Sequence, residues 1–276
     1  MVSLLLDCHG LAARLATNDP PVVLDVRWTL GGPSGGADFR AGHIPGAHFV
    51  DLDRELSAPP GPGRHPLPDA ATFGGAMRRH GVDGSRLVVA YDAGTGTSAA
   101  RAWWLLRYFG HTNAALLDGG YAAWVASGLA VEEGGDRDPQ PGDFDATPGG
   151  MPLIDGHGAA AIARDGVLID ARAPERFRGE TEPVDPVAGH IPNAHNLPAQ
   201  QTENPDGTFL SPAALRERYA AVGVVAGKPV AVYCGSGVVA TEGVFALGLA
   251  GIDAALYAGS WSEWITDPNR PIAIGE

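Results

Sequence analysis

The same words occur twice, in the same order, along this chain of 276 residues. Val22-Val23-Leu24-Asp25-Val26-Arg27 returns as Val167-Leu168-Ile169-Asp170-Ala171-Arg172, and Ala41-Gly42-His43-Ile44-Pro45-Gly46-Ala47-His48 returns as Ala188-Gly189-His190-Ile191-Pro192-Asn193-Ala194-His195. Leu87-Val88-Val89-Ala90-Tyr91-Asp92 is matched by Pro229-Val230-Ala231-Val232-Tyr233-Cys234, and Asp118-Gly119-Gly120-Tyr121-Ala122-Ala123-Trp124 by Ala258-Gly259-Ser260-Trp261-Ser262-Glu263-Trp264. The same order kept across four segments means two copies of one unit. Whatever the chain folds into, half of it must be able to build, and half is long enough for a core of its own.

Within each copy, short β-branched runs (residues 22–26, 87–91, 167–170 and 230–233) alternate with longer helical patterns at 99–109 and 238–249. Strands buried on both faces and separated by helices predict parallel α/β units with helices on either side of the sheet. Residues 132–150 are rich in Gly, Pro and Asp, lack apolar periodicity, and read as a linker over the surface. The expected organisation is a first domain over 1–133, a linker over 134–152 and a second domain over 153–276.

In parallel sheets ligands collect beyond the carboxyl ends of the strands, and Cys234 falls there. It opens Cys234-Gly235-Ser236-Gly237-Val238-Val239, between an apolar strand and an apolar helical stretch. Glycines let backbone N–H groups turn inward, and the following helix adds its positive end, so a thiolate is stabilised and nucleophilic. An inert core cysteine is the alternative. The first copy has Asp92 at this position, followed by Ala93-Gly94-Thr95-Gly96-Thr97. A carboxylate does no thiol chemistry, so the first domain is expected to be catalytically silent. A phosphate cradle at Gly94-Thr95-Gly96 lacks the Lys such a loop needs.

The formal charge of −13 and the lack of any basic cluster longer than Arg78-Arg79 argue against nucleic acid or an anionic membrane as partner. Two cysteines make no disulfide framework, and Cys8 with His9 lacks further ligands, so neither metal nor cofactor is expected. Residues 1–15 carry neither a basic leader nor a long apolar run, which predicts a cytoplasmic, reducing setting. The tryptophans Trp103, Trp104, Trp261 and Trp264 sit at helical spacing and are read as packing.

Together, the duplicated Gly-His-Ile-Pro segment, Asp118-Gly119-Gly120, Arg101-Ala102-Trp103-Trp104, the Cys234 loop and Trp261-Ser262-Glu263-Trp264 resemble the tandem-domain rhodanese, or sulfurtransferase, family over nearly the whole chain. The resemblance implies two rhodanese-like domains and a two-step transfer, in which Cys234 takes a sulfane sulfur as a persulfide and yields it to a thiol or cyanide. Thioredoxin-like protein thiols fit the same acceptor class. A phosphatase on this scaffold needs an Arg six residues after the cysteine, where this chain has Ala240. A persulfide carrier or redox-sensing module that binds a protein partner is the reading from another class.

The Cys-Gly-Ser-Gly-Val loop resembles the 3-mercaptopyruvate branch, whereas the thiosulfate branch carries basic residues there; thiosulfate stays open as the alternative donor, since neither branch's full set of contacts is present. Mercaptopyruvate departs as an enolate and gains from a proton source, which Ser236 supplies. Asp51-Leu52-Asp53 and Gly63-Arg64-His65-Pro66-Leu67-Pro68 match family segments that make Asp53 and His65 the relay partners of Ser236. Arg176 matches the donor-binding Arg, suited to a carboxylate, with Gly235, Gly237, Val238 and Val239 lining the substrate. Three positions depart from that branch: residues 182–187 lack a second Arg, Val239 replaces a common Thr, and Thr97 replaces a Tyr. His43 and His190, present in both copies, are read as turn anchors.

Overall fold

The computed structural model describes residues 4–135 and 139–276, so residues 136–138 of the expected linker lie outside it. Its contacts divide the chain into two compact units. The first comprises Met1–Ala58, Pro68–Met151 and Asn204–Phe209; the second comprises Pro59–Leu67, Pro152–Glu203 and Leu210–Glu276.

Each unit contains a five-stranded sheet, paired in parallel throughout. In the first, β1 (Leu5–Leu6), β2 (Val22–Asp25), β3 (His48–Phe49), β4 (Val88–Tyr91) and β5 (Ala114–Leu117) take the order β1-β5-β4-β2-β3. In the second, β6 (Leu153–Ile154), β7 (Val167–Asp170), β8 (His195–Asn196), β9 (Val230–Tyr233) and β10 (Ala255–Tyr257) take the equivalent order β6-β10-β9-β7-β8. All four residues of β2, β4, β5, β7 and β9 are buried. Covering both faces requires helices on each side, and parallel pairing requires a crossover between neighbours. The helical patterns at 99–109 and 238–249 form Thr97–Tyr108 and Val239–Leu249.

The repeated words mark the joints of this frame. At the end of β2, Asp25 is fully buried and takes a 2.6 Å hydrogen bond from Arg27 Nη2, which also donates to the Gly42 carbonyl at 2.7 Å. At the end of β7, Arg172 Nη2 makes the same pair of bonds, to Asp170 at 2.6 Å and to the Gly189 carbonyl at 2.7 Å. A buried carboxylate is tolerated only when paired and hydrogen-bonded. Here the pair ties the strand end to the Gly-His-Ile-Pro turn. The histidines act as the expected anchors: His43 Nδ1 meets the Phe39 carbonyl and His190 Nδ1 the Phe177 carbonyl, each at 2.8 Å, with the rings stacked on Phe39 and Phe177.

Residues 139–151 form no helix or strand, but they are tied down more firmly than a surface drape. Gly142, Phe144, Thr147 and Gly150 donate backbone hydrogen bonds to Arg78, Val82, Phe109 and Tyr108, all within the first unit. The Phe144 ring is buried against Phe73, a gain of about 2 kcal/mol over an exposed ring. Trp103, Trp104, Trp261 and Trp264 are buried in their own units, as packing requires.

Candidate active site

Strand β9 delivers Cys234 to the carboxyl edge of the second sheet, where the chain turns through residues 234–238 into the helix Val239–Leu249. The thiol is 2 % exposed, and the Gly237 N–H donates to its sulfur at 3.2 Å. That contact depends on glycine. Gly237 has φ +80°, and a Cβ there would lie 2.2 Å from the Ala258 carbonyl oxygen. An apolar strand followed by Gly-x-Gly therefore places a donor on the sulfur and a helix start beneath it.

A second element locks the backbone of Cys234. Ser260 Oγ accepts from the Cys234 N–H at 3.1 Å while donating to the Tyr257 carbonyl at 2.9 Å. The Trp261 and Ser262 N–H groups bond the carbonyls of Cys234 and Gly235. Ser260 does this from the left-handed region, at φ 54°, a conformation that costs about 1–2 kcal/mol outside glycine. Its counterpart in the first copy, Gly120, has φ +55°. The pairing of a serine with a glycine in the repeated words was the one signal of this role, and sequence reasoning assigned Ser260 no part.

The first copy shows what such a loop binds. Asp92, at the end of β4, accepts N–H bonds from Gly94 and Gly96 on one oxygen and from Ser98 and Ala99 on the other, at 3.0–3.2 Å. The loop is an anion cradle filled by its own side chain. In the second copy, the position of that carboxylate is taken by the Cys234 sulfur.

The structure brings Ser236 and His65 together: Ser236 Oγ and His65 Nδ1 lie 2.7 Å apart, and both residues are buried. His65 belongs to the excursion Pro59–Leu67, which packs with the second unit. Asp53 lies in the first unit, on the helix Leu52–Glu55, where its carboxylate accepts from Trp28 Nε1 at 3.1 Å. Gly235 and Val238 are buried around the thiol, and Val239 is partly exposed at the helix start.

Arg176, on the short helix Pro174–Phe177, is neither solvated nor loose. Its Nε and Nη2 donate to Glu182 at 3.1 and 2.6 Å, and Nη2 also reaches Asp185 at 3.1 Å. A Cβ on Gly235 would lie 3.6–3.7 Å from its terminal nitrogens. Arg64 converges on the same spot: its Nη2 lies 2.7 Å from that position, and its Nη1 is paired with Asp185. A second guanidinium is therefore present, contributed by residue 64 instead of the stretch after Arg176. Burial holds the Arg64 pKa below the ordinary value, and the charge of Cys234 works the other way. Arg178 is part exposed and pairs with Glu180, away from the loop.

Among the described residues, no group of three or more His, Cys, Asp or Glu side chains is placed to hold a metal. Cys8 is buried in the first unit, and burial raises its thiol pKa, the setting of an inert core cysteine.

Two parallel α/β units, one carrying a buried cysteine in an anion-cradling loop at a strand's carboxyl edge, define a thiol-dependent group-transfer scaffold. The rhodanese-like domain family matches residues 9–127 and again 158–267, and the chain belongs to that family. It is 50% identical, over 99% of its length and 98% of the relative's, to a Pseudomonas aeruginosa protein named "Probable 3-mercaptopyruvate sulfurtransferase". At 45% identity, over 98% of the chain and 97% of the relative, it matches a Mycobacterium tuberculosis protein named "Putative thiosulfate sulfurtransferase SseB". The crystal structure of SseA from Escherichia coli, a 3-mercaptopyruvate sulfotransferase by its description, covers 94% of the chain and 99% of its own at 32% identity and a TM-score of 0.84.

Proposed function

We propose that this chain is a sulfurtransferase that moves a sulfane sulfur from 3-mercaptopyruvate, through a persulfide on Cys234, to a thiol or cyanide. The observation that carries the choice of donor is the 2.7 Å contact between Ser236 and His65, two residues after the nucleophile. The Cys234 thiolate attacks the donor's sulfur, and a new S–S bond forms as the C–S bond breaks. The electron pair of the broken bond stays on carbon as the enolate of pyruvate. Protonation of that carbon completes pyruvate, and Ser236, drawing on His65, is the proton source. In the second step the acceptor's thiolate, or cyanide, attacks the outer sulfur and Cys234 leaves as thiolate. The Gly237 N–H and the helix start favour that anion in both steps.

Arg176 holds the donor's carboxylate, and Gly235, Gly237, Val238 and Val239 line it. Asp53 is assigned as the carboxylate partner of His65. The first copy, within residues 1–133, is the silent partner, joined through 134–152 to the catalytic copy in 153–276. The setting is cytoplasmic, with thioredoxin-like protein thiols among the acceptors. Among the described residues no helix is long and apolar enough to cross a membrane.

Thiosulfate is the second reading, favoured by the name of the 45% identical relative. Its departing sulfite needs no proton, so the two readings separate cleanly. His65→Ala is expected to slow mercaptopyruvate turnover by about 100-fold or more, and thiosulfate turnover far less. Equal losses would make His65 structural. Cys234→Ser abolishes transfer from either donor. A protein that becomes persulfidated on Cys234, yet turns over neither small donor, belongs to the carrier class.

A further inference from the structure

The cluster beside the thiol contains three arginines, Arg64, Arg172 and Arg176, and three carboxylates, Asp170, Glu182 and Asp185, joined by ion pairs. Taken as charges the cluster cancels, so it draws an anion by the direction of its free N–H groups more than by net field. Arg172 is spent on Asp170, Glu182 and the Gly189 carbonyl. Arg176 has its Nε and Nη2 on Glu182 and Asp185, leaving Nη1 toward Gly235. Arg64 gives only Nη1, to Asp185 Oδ1. Its Nε is buried with no hydrogen-bond partner among the described residues, and its Nη2 lies over Gly235, the residue after the nucleophile. A buried guanidinium N–H without a partner is expensive, and a planar oxyanion presented at that edge satisfies it.

We propose that Arg64 is the second guanidinium of the donor site. With Arg176 it holds the carboxylate and ketone oxygens of an α-keto acid above Gly235, and the Asp185 carboxylate, bonded to both, sets the spacing of the two arms. Arg64 is thus a binding and specificity residue for the transfer described above, and the assignment rests on that reading of Cys234 as its nucleophile. Its position follows from the excursion Pro59–Leu67, which brings residue 64 to a loop that begins at residue 234. The backbone is pinned there by the Arg64 N–H donating to Ser262 Oγ at 3.1 Å.

Two measurements test it on the full chain. In steady state, Arg64→Ala is expected to raise KM for 3-mercaptopyruvate about 10- to 100-fold, with kcat changed no more than about threefold, the mark of lost ground-state binding. Arg64→Lys keeps the charge but not the fork, and falls between wild type and Arg64→Ala. The second measurement needs no sulfur donor: the rates at which Cys234 is alkylated by anionic iodoacetate and by neutral iodoacetamide, located by peptide mass spectrometry. Arg64→Ala is expected to lower the iodoacetate-to-iodoacetamide ratio about tenfold, as Arg176→Ala does, while Arg64→Lys retains it. An alkylation ratio unchanged in Arg64→Ala, together with a KM within twofold of wild type, overturns the assignment. So does an Arg64→Lys protein with wild-type KM, because a fork is then not needed. If wild type uses thiosulfate and not mercaptopyruvate, the donor reading fails, and the alkylation ratio alone still decides whether Arg64 faces the anion site.

Discussion

Asp92 is 3 % exposed and its carboxylate accepts from four loop and helix N–H groups of the first copy, so replacing it with Asn has a consequence that the geometry sizes. The amide keeps the shape but turns one acceptor oxygen into an NH2 donor. Whichever way it is oriented, one pair of N–H groups, either Gly94 and Gly96 or Ser98 and Ala99, faces a donor. A buried donor left without an acceptor costs about 1–3 kcal/mol, and the other pair loses the charge on its acceptor. Allowing for movement of the loop, Asp92→Asn should destabilise the first unit by about 3 kcal/mol, a fall of about 6–12 °C in its Tm. Four of the six tryptophans, Trp28, Trp103, Trp104 and Trp124, lie in that unit, so fluorescence during urea denaturation reports mainly on it. Sulfur transfer by Cys234, assayed at 20 °C, should stay near wild type. A loss of stability below about 1 kcal/mol would refute the idea that the carboxylate is what the loop's amides are built around.

Ser260 makes an unusual pair of substitutions informative. Ser260→Ala keeps the strained φ and loses the bond to the Cys234 N–H, for an expected loss of about 2 kcal/mol, whereas Ser260→Gly loses the bond but relieves the strain and should be the milder change; chemical denaturation showing the glycine variant less stable than the alanine one would contradict this. Burial holds the pKa of His111 and of His190 below the ordinary histidine value. As pH falls, the unfolded chain therefore binds protons first, so stability is full above about pH 7 and declines below about pH 6.5. Urea midpoints between pH 7.5 and 5.5 should fall in wild type and fall less in His111→Phe; parallel curves would remove His111 from the explanation.

The fold could be read from the repeated words because each carries a local requirement. Aspartate at a strand end needs the arginine two residues on, and that arginine needs the carbonyl of the Gly-His-Ile-Pro turn, so two words imply one joint. The Cys234 loop was equally legible, since strand, glycines and helix are contiguous. What local pattern does not carry is which distant segment packs against the loop. Arg64 lies far in sequence from both Cys234 and Arg176, and only its segment's packing with the second unit brings it near. His65 came to notice only through resemblance to a family. Ser260 was hidden for another reason: a hydroxyl that accepts from a backbone N–H has no spacing signature, and only its alignment with Gly120 marks the position as unusual.

The two copies differ in more than an Asp at 92 against a Cys at 234. The frame around each loop is the same, with matched strand order, buried Asp–Arg joint and histidine anchor. An amide cradle stabilises whichever anion it holds, and in the first copy that anion is tethered, with two N–H groups already on each oxygen of Asp92. No donor can compete with a side chain present at so high an effective concentration. In the second copy the cradle holds a single sulfur, to which the Gly237 N–H donates at 3.2 Å. Returning a thiol to position 92 would free the cradle without building a site. Gly94 stands where the second copy has Ser236, so the hydroxyl is missing, and the guanidiniums over Gly235 belong to the second unit. The first copy's cradle is closed by a carboxylate of its own, whereas the matching position of the second holds the Cys234 sulfur.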